Sequence, residues 1–312
     1  MIFFGSDTHA PTRLENGESN AVWRLDLENL AWSQDYEQDP KGSYRILPDN
    51  QTETSTGRPW AMHTFADVDW DPIARRVVVV SGEMHARFNP EERFPMFKGK
   101  EWWVHLRPSH WEYDPDSRRW ERLELSAPDL FASATVWDNG RQLLVAHNGS
   151  ATWEFNRASR EWVKFDAPSK ESWHQNMVYD NFARCVLLLG NNHGDATLYS
   201  YDSVSHHWNI VETAGHTLPA NGAAIAYDTR HHAMLYLAND YKDQYYNPAG
   251  KAVTFLYHSE GKRWERLPIQ SPDLYGMNYL MQYDPVRNVF LHFEKTRDSE
   301  ERIRVWAFRI PD

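Results

Sequence analysis

Residues Met177 to Trp208 read MVYDNFARCVLLLGNNHGDATLYSYDSVSHHW, and this stretch decides the fold. A short run ends in Tyr179-Asp180, a tight turn follows, and the apolar run Cys185 to Leu189 leads into the polar knot Gly190-Asn191-Asn192-His193-Gly194-Asp195. A second alternating run ends in Tyr201-Asp202, and a few turn residues later comes Trp208. Short runs of period two, bounded by Asp, Asn, Gly and Ser, are strands joined by hairpin turns. The stretch therefore predicts a four-stranded antiparallel sheet whose middle connection is the histidine-bearing knot.

The same pattern recurs along the chain, and recurrence at a fixed spacing is the mark of a repeat architecture. Its first half returns as DVDWDPIARRVVVV (67–80), TVWDNGRQLLVA (135–146), AIAYDTRHHAMLYL (224–237) and LMQYDPVRNVFLHF (280–293). Its second half returns as VWRLDLENLAW (22–32), HWEYDPDSRRW (110–120), TWEFNRASREW (152–162) and FLYHSEGKRW (255–264). The closing tryptophans are Trp32, Trp120, Trp162, Trp208 and Trp264. One such sheet cannot bury both of its faces, so successive sheets must stack, and the fold class expected is an all-β propeller of four-stranded antiparallel blades. Each repeat tryptophan is expected to fill the space between neighbouring blades.

The paired Tyr-Asp turn and downstream tryptophan resemble the kelch-type β-propeller family, whose fold includes the central domain of galactose-oxidase-like proteins. The resemblance covers nearly the whole chain as one domain, with blades over about 1–34, 58–125, 131–167, 173–214, 221–269 and 275–310. The repeats are degenerate: the double glycine expected at the end of the second strand reads Ser81-Gly82, Ala146-His147, Leu189-Gly190 and Ala238-Asn239. The sequence enters at a second strand, MIFFGSDTH, and its last strand, RIRVWAFRI, reads as a third. Six blades are expected, with a seventh of poorly matching sequence as the alternative. Gln34 to Gly57 and Ala86 to Lys100 read as long surface loops.

Composition narrows the function classes. The 312 residues are 41% hydrophobic with 15 tryptophans, enough for a large core, and 33 Lys and Arg against 44 Asp and Glu give a net charge of −11. That balance argues against nucleic acid or an anionic membrane as the main partner. The single cysteine, Cys185, allows no intrachain disulfide and lies in an apolar run, where it reads as a small buried hydrophobe. No stretch has the roughly 20 apolar residues of a membrane-spanning helix, and the sequence as written reads as cytoplasmic, or as secreted or periplasmic if a signal has been removed.

With strands a to d in each blade, up-and-down connectivity puts the loops into strand a and the b–c loops at one end, around the mouth of the channel that strand a lines. The b–c loops carry Asp7 and His9, Glu83 and His85, His147 and Asn148, Asn192, His193 and Asp195, Asn239, Tyr241 and Lys242, and Arg297. The loops into strand a carry Arg58, Trp60 and His63, Trp173 and His174, and Tyr275 and Asn278. Six histidines thus fall at one end, and imidazole suits both metal ligation and proton transfer near neutral pH. His9, His63, His85, His147 and His193 are the candidate ligands of one divalent metal, with no nucleotide cofactor. His85, His174, His193 and Tyr241 are the candidate catalytic groups. Arg58, Trp60, Asn148, Trp173, Asn192, Asn239, Lys242, Tyr275, Asn278 and Arg297 are the candidate ligand contacts.

Two functions fit this pattern. The first is an enzyme using the histidine-rich mouth, with or without a divalent metal, for acid–base chemistry of lyase, isomerase or hydrolase type on a small polar molecule or carbohydrate. Propellers similar to the kelch family include oxidases, isomerases and lyases, so the fold permits this without choosing among them. Copper-radical oxidase chemistry is disfavoured, since it needs a cysteine crosslinked to tyrosine and Cys185 falls in a strand. The second is a non-catalytic propeller that binds a protein or glycan through loop aromatics such as Trp60, Trp173 and Tyr275.

Overall fold

The hairpin turns repeat one conformation, and a side chain causes it. The residue closing the first strand is Asp26, Asp71, Asp114, Asp138, Asn156, Asp180, Asp202, Asp228 or Asp284. In each turn its Oδ1 accepts the backbone N–H groups two and three residues on. This is the Asx cap that makes Asp and Asn turn residues. The fourth residue then sits in the left-handed region: Leu30, Arg75, Arg118, Gln142, Arg160, Arg184, His206, His232 and Asn288 have φ between 51° and 58°, and Lys262, in the turn after His258, has φ of 45°. Any non-glycine residue there carries strain of about 1–2 kcal/mol.

The computed structural model describes residues 1–5, 19–62, 64–81, 106–130, 133–166, 175–189, 196–219, 224–239, 252–270, 280–295 and 303–311. Within them lie six antiparallel sheets and one hairpin. In chain order the sheets begin with β1 (Ile2–Phe3), β2 (Trp23–Asp26) and β3 (Ala31–Gln34), after which β4 (Tyr44–Ile46) and β5 (Thr52–Thr54) form the separate hairpin. The second blade is β6 (Val68–Asp71), β7 (Arg76–Ser81), β8 (Ser109–Asp114) and β9 (Arg119–Leu123). The third is β10 (Ala134–Asp138), β11 (Leu143–His147), β12 (Ala151–Asn156) and β13 (Glu161–Asp166). The fourth is β14 (Asn176–Asp180), β15 (Cys185–Leu189), β16 (Tyr199–Asp202) and β17 (His207–Ile210).

The fifth blade is β19 (Ile225–Asp228), β20 (Ala233–Asn239), β21 (Ala252–His258) and β22 (Arg263–Arg266), and β18 (Ala214–Gly215) adds a parallel edge to β22. The sixth shows β23 (Met281–Asp284), β24 (Val289–Lys295) and β25 (Ile303–Phe308). The first sheet supplies strands b to d and the sixth strands a to c, as the sequence pattern predicts. The chain divides into two compact units, Met1–Phe131 with Phe155–Val163, and Ala132–Glu154 with Lys164–Asp312.

In the second unit the innermost strands run side by side, β10 against β14, β14 against β19 and β19 against β23. Its core is made by residues such as Leu187, Leu189, Ile225, Met234, Leu235, Phe255 and Trp264, all under 9% exposed. The tyrosine of the Tyr-Asp pair ties each of these blades to the one before. Tyr227 Oη donates to Asp180 Oδ1 at 2.6 Å, so one carboxylate caps its own turn and receives the next blade. Tyr179 Oη lies over Gly140, where an added Cβ would meet it at 2.4 Å and push the tyrosine aside. Ser203 Oγ donates to Asp138 Oδ2 in the same way.

The repeat tryptophans close the blades. Three lie directly across the d–c pair from an aromatic ring, Tyr113 with Trp120, Tyr201 with Trp208 and Tyr257 with Trp264, at 5.0 Å between centroids, whereas Trp32 faces Leu25 and is 36% exposed, against the expectation that it fills inter-blade space. The indole N–H groups reach into the preceding blade. Trp162 donates to His110 Nδ1 at 3.2 Å, within the first unit, and Trp208 donates to Thr152 Oγ1 at 2.7 Å, within the second. His110 and Thr152 hold the same place in their strands, four residues before the turn-capping Asp114 and Asn156. In the first blade that place is Val22, which cannot accept, and Trp120 donates instead to Tyr36 Oη at 2.6 Å, in the segment that follows β3.

One expectation about loops needs correction. Gln34 to Gly57 is not a bare surface loop. Tyr44 stacks on Trp60 with centroids 5.3 Å apart, and with Ala61, Ile46 and Leu106 they form a small core of their own. Beside it, Asp39 is buried and accepts hydrogen bonds from Asn20, Thr54, Thr56 and Arg58 at 2.8–3.3 Å. A buried carboxylate needs that many donors to offset its lost hydration. The expected loop from Ala86 to Lys100 lies outside the described residues.

Candidate functional site

Most of the candidate side chains fall outside the described residues: His9, His63, His85, Trp173, His174, Asn192, His193, Tyr241, Lys242, Tyr275, Asn278 and Arg297. Asn239 is described through its backbone, which ends β20 and pairs with Ala252. Arg58, Trp60, His147 and Asn148 are described in full. Their surroundings separate structural from chemically open groups.

Trp60 is a correction. It was expected as an exposed stacking platform, but it is 0% exposed, flat against Tyr44, and its Nε1–H donates to the Glu53 carbonyl at 2.9 Å. A ring with both its face and its only donor engaged by protein offers nothing to a ligand. Arg58 lies 3.8 Å over the Tyr36 ring and donates to Asp39 Oδ1 at 3.3 Å, so its guanidinium serves the buried carboxylate. Asn148 Oδ1 accepts from the backbone N–H of Ser150 and Ala151 and from Ser150 Oγ, each at 3.0 Å, which fixes the b–c turn of the third blade.

His147 differs from these three. The sequence pattern places it in the b–c loop, whereas in the structure it is the last residue of β11, paired with Ala134 at the head of β10. It is 0% exposed, its ring is 4.8 Å from that of Trp208, and Nδ1 lies 3.0 Å from Thr152 Oγ1. Nε2, at the far tip of the ring, is buried without a hydrogen-bond partner. Burial pushes its pKa down to about 3, outweighing the opposing pull of the Ala151 carbonyl, so the ring is neutral at physiological pH. One residue before β14, Gln175 is 4% exposed and its Oε1 also lacks a partner. Gln175 was not among the candidates. Its signal was there in ESWHQN, where three polar residues precede a buried strand.

In the second unit His292 is 4% exposed and both of its ring nitrogens lack a hydrogen-bond partner, whereas several other buried ionisable groups are held by protein. In the first unit, Arg157 Nε and Nη2 bond Asp71 and Glu112, and His110 Nε2 stands 3.4 Å from Glu112 Oε1. Burial alone would raise the Glu112 pKa, but the bonds from His110 and Arg157 outweigh it and hold the carboxyl at about 2. In the second unit Glu154 receives Tyr201 Oη at 2.8 Å and Arg141 at 2.8 Å, the corresponding arrangement one blade on. Cys185 is half-buried, and burial followed by the charges of Asp180 and Asp138 pushes its thiol up to about 12, which makes it a poor nucleophile.

Among the described residues no group of three His, Cys, Asp or Glu side chains could hold a metal, and His147 is the one proposed ligand they include. An open cleft of about 800 Å³ in the first unit is lined by Glu121, Arg122, Glu124, Ser126, Ser159 and Glu161. Its half-buried Arg122 is held by Asp49 at 3.2 Å and by Gln51, so the cleft is polar, carboxylate-rich and free of histidine.

No known protein family matches the chain by sequence, and no curated protein matches it. The fold is similar to a solved structure, TolB from Acinetobacter baumannii, with a TM-score of 0.57 and 10% identity over 99% of this chain and 60% of that one. The chain thus spans 60% of the length of that structure, and at this identity the likeness is one of fold. No helix is long and apolar enough to cross a membrane among the described residues. With six antiparallel sheets of up-and-down strands, the chain has the β-propeller fold.

Proposed function

We propose that the chain is a kelch-like propeller enzyme that carries out acid–base chemistry on a small, neutral polar molecule of the carbohydrate class, at the blade end where b–c loops and the loops into strand a meet. The observation that carries this reading is a pair of neutral buried side chains, His147 and Gln175, that each keep an open polar atom at that end. At the turn end the aspartates cap backbone and receive neighbouring blades, and Arg157 and Arg141 neutralise buried carboxylates. At the other end His147 and Gln175 each keep a buried polar atom with no protein partner, as Asp180 Oδ2 does at the turn end and both ring nitrogens of His292 do in β24. Buried polar atoms left open cost roughly 1–3 kcal/mol each, so each calls for a partner such as water, an ion or a ligand.

In this reading His174 and His193, flanking β14 and β15 of the second unit, exchange the proton, and Tyr241 assists as acid. His147, held neutral, serves as a hydrogen-bonding group and, where a divalent metal is present, as its ligand with His193. The metal would supply a Lewis acid that polarises a carbonyl. The burial of Trp60 removes one of the aromatic platforms on which a purely glycan-binding role would rely.

The test is proton exchange in D₂O with a panel of aldoses and ketoses, read by proton NMR. Abstraction at the carbon beside a carbonyl leaves deuterium whether the reaction continues as isomerisation or elimination. Wild-type protein is expected to label at least one sugar, and His174→Ala and His193→Ala to abolish labelling with an unchanged melting temperature. Equal labelling by both variants, or none by wild type before and after loading with Zn²⁺, Mn²⁺ or Fe²⁺, overturns the proposal.

A further inference from the structure

We infer that His147 and Gln175 form a subsite for a hydroxyl group of a neutral ligand at the head of β10 and β14, an inference that rests on the reading of that end as the functional one. β10 and β14 are adjacent innermost strands of the second unit. His147 pairs with the first residue of β10, and Gln175 directly precedes the first residue of β14, so topology brings both to the same end of neighbouring strands. Both are more than nine-tenths buried, and each has an open polar atom, Nε2 of the imidazole and Oε1 of the amide.

The chemistry of the two atoms selects the ligand. Trp208 Nε1–H can only donate, and its acceptor Thr152 Oγ1 also lies 3.0 Å from His147 Nδ1, so one edge of the imidazole is fixed by protein and the distal Nε2 is left over. Depending on the tautomer, Nε2 offers either a proton or a lone pair, and the Gln175 amide offers either according to its orientation. A hydroxyl is the neutral group that answers both, since it donates one proton and accepts two. Charge points the same way. Among the described residues, the buried polar groups at this end, Ser133, His147, Gln175 and Asn176, carry no formal charge, so none of them supplies a counter-ion to an ionic ligand.

The experiment is an NMR titration of protein labelled with ¹⁵N at histidine and glutamine, using glycerol, D-glucose, D-galactose and myo-inositol as neutral probes and D-glucuronate as the charged control. The expected result is a saturable shift of the His147 Nε2 and Gln175 side-chain resonances with at least one neutral probe. Glucuronate is expected to bind at least about tenfold more weakly, since none of Ser133, His147, Gln175 and Asn176 offers its carboxylate a counter-charge. Gln175→Leu and the milder Gln175→Asn should each weaken binding, with the Trp208 indole resonance in place as the check on folding. Three outcomes overturn the inference: no saturable shift up to about 100 mM of any neutral probe, glucuronate binding equally well, or a Nε2 whose only contact is a resident water. Binding is read without turnover, so its failure is distinct from a failure of the proton-exchange test.

Discussion

The third strands of two consecutive blades hold different residues at one position, His110 in β8 and Thr152 in β12, and each accepts the indole N–H of the following blade's tryptophan. Both strands also place a buried glutamate two residues on, Glu112 or Glu154, and both glutamates are neutralised by an arginine. In β8 the histidine is itself the acceptor, so its Nδ1 is engaged in holding the blades together. In β12 a threonine takes that role and at the same time touches His147, a histidine on the adjoining strand, by its Nδ1 alone. The difference teaches how one latch can be built from two residue types. Both His110 and His147 keep an Nε2 without a hydrogen bond, but that of His110 stands 3.4 Å from the Glu112 carboxylate, whereas among the described residues no ion pair reaches His147.

The comparison can be broken most forcefully at the tryptophans. Trp208 is 8% exposed while Trp162 is half-buried. Trp208→Ala is expected to lower stability by about 3–5 kcal/mol, the usual range for a buried aromatic, and Trp162→Ala by clearly less, both measured by urea denaturation. Equal losses would mean that the two latches do not differ in packing. The next effect is electrostatic: Arg157→Ala strands Asp71 and Glu112, each at most 4% exposed, and should cost about 3 kcal/mol. A loss under about 1 kcal/mol would show that solvent already screens the cluster.

Acid sharpens the comparison further. Burial lowers the pKa of His147 to about 3 and of His292 to about 4, from an ordinary value of 6.5, and lowers that of His110 as well. The unfolded chain takes up protons below pH 6.5 while these folded rings do not, so stability is lost as pH falls from 6.5 towards 4. The loss is about 1.4 kcal/mol per pH unit for each of His147 and His292, and His110 adds to it in the same direction. Glu112 acts in a lower window, where stability present above pH 4.5 is lost as pH falls towards 2. His147→Gln should flatten the upper slope, measured as the urea midpoint at pH 7, 6, 5 and 4. An unchanged slope contradicts the neutral assignment.

The smallest effect is at the turns. Arg184 has φ of 55°, so Arg184→Gly should stabilise by up to about 1 kcal/mol and Arg184→Val should destabilise by a similar amount. The thermal midpoint checks both.

The fold was largely legible because its signals are local. Tyr-Asp followed by a left-handed fourth residue and a tryptophan names a hairpin from a few adjacent residues, and each side chain there acts on backbone or a ring close in sequence or one blade away. Trp60 was misread because its burial depends on Tyr44, sixteen residues upstream, in a hairpin whose polar composition concealed a stacked pair. His147 was assigned to a loop because Asn148-Gly149-Ser150 looks like one, yet β11 pairs with Ala134 for one residue more than the pattern suggests. Gln175 was overlooked because ESWHQN shows polar residues entering a strand but not which of them is buried. Histidines at the b–c end were visible as a cluster, but the state of a ring depends on burial and on partners such as Thr152 that only the fold supplies.

The most direct measurement of the central claim is the ¹⁵N spectrum of the His147 imidazole as a function of pH, with His147→Gln providing the assignment. A neutral ring, held at Nδ1 and open at Nε2, should keep its two nitrogen shifts unchanged from pH 8 down to pH 5. A His147 that titrates with a midpoint near 6.5 would contradict the account, since such a ring would be solvated and would carry no buried open nitrogen.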